Sequence, residues 1–184
     1  MVTHVPSETS GDECGMLLSF VEAQRGALRR GVLGLDDEQA SATPSASALS
    51  LAGLVKHAAL CEVNWLRLAQ GRPNEYLTGS DSWEVGFRLV GDETVADVLA
   101  LWDTIAAETE EYFRAAPDLG RTYPLPPAPW YPKDARVSLR WTLAHLVEEF
   151  ARHAGHADII RETLDGKNAF ELIDLERQAP HARA

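Results

Sequence analysis

Apolar residues return every three to four positions in four long stretches of this chain, the spacing of helices that bury one face. The first stretch, about 13–33, reads ECGMLLSFVEAQRGALRRGVL, with Met16, Leu17, Phe20, Val21, Gln24 and Leu28 on the repeating positions and Gly34 beyond its end. The second, about 47–70, is SALSLAGLVKHAALCEVNWLRLAQ, closed by Gly71 and Pro73. The third, about 94–116, begins at Thr94, a capping residue with Asp97 in the third helical position, and stops at Pro117. The fourth begins after Ser138, a good N-cap, and ends near Asp165 and Gly166.

Between these stretches the periodicity lapses. DDEQASATPSAS reads as a loop. Residues 72–92 hold turn formers and aromatics without a sustained period, as expected of a segment that covers an opening. Residues 117–137 are rich in proline, which predicts a long irregular crossover carrying Tyr123, Trp130 and Tyr131. A short helix is expected around 170–177. The reading is all-α, a four-helix bundle with long irregular crossover loops, and no strand pattern competes with it. It divides the chain into a flexible N-terminus over 1–12, the bundle over 13–166 and a C-terminal tail over 167–184.

Length and charge narrow the class. The 184 residues suit one domain, and 45% apolar content suits a real core. A net charge of −11 argues against a nucleic-acid backbone and against an anionic membrane surface. The first residues lack a basic stretch leading into an apolar run, and no apolar run approaches about 20 residues. Two cysteines in unlike contexts, Cys14 and Cys61, are expected as reduced thiols in a cytoplasmic protein. Nucleophile elbow, P-loop, dinucleotide fingerprint and Cys-x-x-Cys are all absent.

What remains is a cluster of metal-type donors. HLVEEFARHAGHADIIRE places His145, Glu149, His153 and His156 on one stripe of the fourth helix, since a helix turns about 100° per residue. On the second helix, His57 shares the apolar face of Leu54, Leu60, Cys61, Trp65 and Leu68, so it points inward. Bundle cores build metal sites from facing helices, and three protein donors with an open position is a catalytic arrangement. Spacing leaves the set open: Glu149 pairs at i, i+4 with either His145 or His153, while His153 and His156 pair at i, i+3. His145 and His156 suit a role behind the ligands, and Cys61 suits a small buried apolar residue. Arg161 suits either a surface pair with Glu162 or an anion contact at the site mouth. Trp83 and Trp130 stand where loop aromatics could wall a pocket.

From about Leu17 to Gly166, the strings LVKHAALCEVNW and SLRWTLAHLVEEFARHAGHADIIRETLDG resemble the DinB/YfiT-like superfamily of metal-binding four-helix bundles. The likeness is to an actinobacterial branch sometimes labelled mini-circle protein. That superfamily uses one histidine of the second helix and a His-x-x-x-His pair of the last. Its mycothiol-dependent maleylpyruvate isomerases use Glu-x-x-x-His. The resemblance implies His57, Glu149 and His153 as ligands of a divalent metal, zinc first, with nickel, iron and manganese also suited. It implies a metal-dependent S-transferase or isomerase that takes a small thiol of the mycothiol type and an electrophile. A non-catalytic metal-binding or stress-related scaffold is the alternative, and a homodimer is the assembly that relatives suggest.

Overall fold

The computed structural model describes residue 5, residues 11–76 and residues 85–178. Its long helices are α1 (Glu13–Gly31), α3 (Leu51–Gln70), α4 (Val95–Arg114) and α5 (Leu139–Asp165). Each starts where a polar side chain replaces the missing helical partner of the first N–H groups. Asp12 accepts from Gly15 N, Ser50 from Gly53 N and Ser138 from Trp141 N. Thr94 and Asp97 form a reciprocal capping box at α4. Gly166 closes α5 at φ 79°, a left-handed conformation that favours glycine.

The four helices enclose one core. α1 lies along α5, and α3 packs on both α4 and α5. Trp102, Phe113, Phe150, Leu28, Leu54 and Leu143 are wholly buried, and Trp102 meets Phe150 edge to face at 5.7 Å. Burying a side chain of this size stabilises by roughly 1.5–3 kcal/mol. The all-α bundle expected from periodicity is the fold observed.

Three details differ from the sequence reading. The inward stripe of α1 runs through Leu18, Val21, Arg25 and Leu28, while Phe20 is 39% exposed. The segment read as a loop after Gly34 contains α2 (Asp37–Ser41), nucleated by a capping box between Asp36 and Gln39 and anchored by fully buried Ala40. The proline-rich crossover contains a small antiparallel pair, β1 (Thr122–Pro124) with β2 (Arg136–Ser138), in register Tyr123↔Val137. Proline is tolerated there because both strands of a two-stranded pair are edge strands, and the ladder bond beyond Pro124 is made by Leu125 N. The Tyr123 hydroxyl lies 2.6 Å from Thr142 Oγ1 in the core, tying the hairpin to α5. The short helix expected around 170–177 is present as α6 (Ala169–Gln178), which docks on α1 through Leu172, 2% exposed, and an Arg30–Glu176 ion pair at 3.6 Å.

Most of the N-terminal dozen, Trp83 and residues 179–184 lie outside the described residues. Among the described residues, no helix is long and apolar enough to cross a membrane.

Candidate metal centre

α3 and α5 run antiparallel, and their seam brings His57 opposite Glu149 and His153. His57 Nε2 lies 3.0 Å, and His153 Nε2 3.2 Å, from the same carboxylate oxygen, Glu149 Oε1. One donor atom from each residue lies within 4.8 Å of the others. Both histidines are 8% exposed, and the Glu149 side chain 17%. The two hydrogen bonds, to His153 and then His57, hold the Glu149 carboxyl far below the usual carboxylate range against the opposing pull of burial.

This donor set fits a divalent cation. Zinc bonds of about 2.0–2.1 Å in tetrahedral array place neighbouring donor atoms about 3.3 Å apart, close to the two carboxylate–imidazole spacings of 3.0 and 3.2 Å. One carboxylate and two neutral imidazoles leave a divalent site at net +1, and nitrogen with oxygen donors suits zinc, nickel, iron or manganese.

The remaining candidates take separate places. His156 touches the far side of His153, Nδ1 to Nδ1 at 3.4 Å. His145 sits one turn before Glu149, stacked on Trp141 at 5.0 Å and edge-on to Trp65 at 4.8 Å; burial pushes its pKa down. Burial also pushes the Cys61 thiol up, away from nucleophilic character. Glu148 pairs with Arg152 on the solvated face.

Arg161 pairs not with Glu162 but with Asp165, away from the metal-type donors. It is 1% exposed, and its guanidinium donates to the carbonyls of Gly31 and Leu33, both at 2.9 Å, and to the Asp165 carboxylate. It caps the end of α1, whose last carbonyls lack helical partners. Trp130 is 77% exposed at the tip of the hairpin loop.

Two site residues escaped the sequence reading. Phe87 stacks on the His57 ring at 4.0 Å and 14°, and lies 6.2 Å from His153. Gly53 makes that placement possible: a Cβ there would lie 2.0 Å from the Phe87 carbonyl oxygen. Lys56 holds the same strap, donating to the Arg88 carbonyl at 3.1 Å and pairing with Glu93. A glycine inside a helix costs about 1 kcal/mol relative to alanine. Its presence one turn before His57 was the available signal.

A family model described as Mycothiol-S-transferase matches residues 16–166 of the chain. A solved structure described as a conserved protein from Enterococcus faecalis superposes with a TM-score of 0.65 at 13% identity, covering 84% of this chain and 98% of that one. That likeness shows the fold. The search of curated proteins found no match. Family and fold together support membership in the DinB/YfiT-like superfamily.

Proposed function

The chain belongs to the mycothiol-S-transferase family, and from that premise we propose that it is a divalent-metal-dependent transferase joining a small thiol to an electrophile. The observation that carries the reading is the convergence of His57, Glu149 and His153 beneath Phe87. A divalent ion at these donors supplies acidification of a thiol, which lets the sulfur react as thiolate near neutral pH.

The chain's own residues do the rest. His57, Glu149 and His153 would hold the ion from two rigid helices, so their spacing is set before any ligand arrives. For His153 Nε2 to act as a ligand, its proton must sit on Nδ1, where it donates to His156 Nδ1. His156 is therefore a positioning residue. Phe87 covers His57 and keeps water from that side. In the transfer, the thiol loses its proton to solvent, sulfur forms the new bond with its electron pair, and the leaving group departs with the pair of the broken bond. Cys61, protonated and partly buried, is not the nucleophile.

The test is the initial rate of thiol conjugation with mycothiol, bacillithiol, glutathione and cysteine across an electrophile panel, each with and without chelator. Metal content and light scattering on the same tag-free samples read the ion and the homodimer expected from the resemblance. A chelator-sensitive rate with mycothiol supports the reading. Bound metal with no chelator-sensitive rate for any thiol leaves a non-catalytic metal-binding bundle.

A further inference from the structure

The α3–α5 seam continues past the donors. Two turns beyond His57 on α3 is Trp65; one and two turns before Glu149 on α5 are His145 and Trp141. These three rings form one assembly. Trp141 lies nearly parallel to His145, at 13°, and Trp65 meets both edge-on or tilted, at 4.8 and 5.1 Å. Trp65 is 7% exposed and forms the floor, whereas Trp141 is 41% exposed. Partly exposed Cys61 lies on α3 between this shelf and the donors, one turn from each. At the rim, the Glu148 carboxylate stands 3.8 Å from His145 Nδ1.

Among the described residues, the seam is covered at its His57 end. The strap carrying Phe87 crosses α3 at Gly53, on the side of His57 away from Trp65. A ligand reaching the donors along the seam therefore extends toward the aromatic shelf. An indole edge in contact with water is the amphipathic surface that binds ligands with one apolar face and polar edges.

We propose that the Trp65–Trp141–His145 shelf is the subsite for the sugar portion of the thiol substrate. This rests on the thiol-transfer reading and names which part of the substrate goes where. The cysteinyl sulfur of mycothiol is linked through an amide to an amino sugar bearing inositol. Five bonds separate sulfur from the sugar ring, about 6 Å when extended. One helical turn, about 5.4 Å, brings the sugar ring from Glu149 to His145, and the ring's own width of about 5 Å carries it on to Trp141, whose ring centroid lies 5.0 Å from that of His145. With the sulfur at the His57–Glu149–His153 donors, the C–H face of the pyranose lies against Trp141, and its hydroxyls face water and Glu148.

The test uses the full, zinc-loaded chain and glucosaminyl-inositol, which lacks the cysteinyl thiol. Saturation-transfer difference NMR is expected to show magnetisation on the pyranose C–H protons. That signal disappears in Trp141→Ala and persists in Trp141→Phe, which keeps a ring. In kinetics, Trp141→Ala is expected to lower the ratio of kcat/KM for mycothiol over cysteine about tenfold, the scale of one lost aromatic contact. The phenylalanine variant restores most of it. Far-UV circular dichroism checks that both variants remain folded. No sugar signal with the wild-type chain, or a ratio unmoved by Trp141→Ala, overturns the shelf. Failure of every thiol to give chelator-sensitive turnover overturns the transfer reading instead, and the NMR experiment still decides whether the shelf binds the sugar.

Discussion

Two carboxylates of this bundle are both held in side-chain clusters anchored on α3, five residues apart along it. Glu62 is 0% exposed and closed on every side. Arg25 donates to both its oxygens, and the Trp102 indole N–H donates at 2.8 Å. Glu149 instead faces His57 and His153, whose nitrogens can be donors or ligands according to where their protons lie. The Glu62 cluster carries its own cation, so it needs nothing more and admits nothing more. The Glu149 cluster offers a negative charge and two lone pairs directed at a common point. The difference teaches that a buried acid in a helical bundle is read through its partners: a guanidinium supplies the cation itself, whereas imidazoles leave the acid able to share one.

The largest effect is expected from opening the closed cluster. Glu62→Ala takes from Arg25, 2% exposed, its buried counter-charge and leaves only the half-exposed Glu22 beside it, and removing one partner of a buried pair costs up to about 3–5 kcal/mol. Urea denaturation reads this as a lower midpoint, while metal bound per folded chain stays unchanged. A loss of metal equal to the loss in Glu149→Ala would erase the distinction between the clusters.

Next in size are the donors themselves. Glu149→Ala or His153→Ala is expected to weaken zinc binding at least about a hundredfold, roughly the share of one ligand in a structural zinc site. Chelator competition measures it, and unchanged far-UV circular dichroism separates site from scaffold. Loss of helix along with metal would make this cluster structural too.

Gly53→Ala comes third. The added Cβ collides with the Phe87 carbonyl, so the strap must shift, at a cost of about 1–3 kcal/mol. Because Phe87 covers only one donor, zinc affinity should fall less than in Glu149→Ala. An unchanged thermal midpoint and rate would show that the strap does not position Phe87.

The smallest effect concerns a second closed pair. Burial would raise the Asp165 carboxyl, but hydrogen bonds from Arg161 and Lys167 hold it down at about 2. Its folded-state pKa is thus below the ordinary value of 3.8. Its contribution to stability is present above about pH 4 and is lost as pH falls toward 2. Asp165→Asn should flatten the stability profile across that acid window, with little change near neutrality. An identical acid profile would mean that Arg161 is held by the α1 carbonyls alone.

The sequence by itself determined the bundle. Apolar spacing, Thr94 with Asp97, Ser138 and Gly166 are local signals, and a helix's period and ends depend on residues within a turn or two of one another. It also nominated His57, Glu149 and His153, through an inward histidine and a resemblance, while spacing alone left His145 and His156 as rival partners. What only the tertiary structure decided depends on contacts between distant segments. It turned Phe20 outward and Arg25 inward, because α1 meets Glu62 from α3. It sent Arg161 to the end of α1, 130 residues away in sequence. It laid Phe87 on His57 across Gly53, and it lined up Trp65 with Trp141 and His145. Periodicity specifies which face of a helix is apolar, but not which face of which neighbour it meets. The local pattern therefore named the donors' helices, and only the packing of α3 against α5 decided which side chains share a centre.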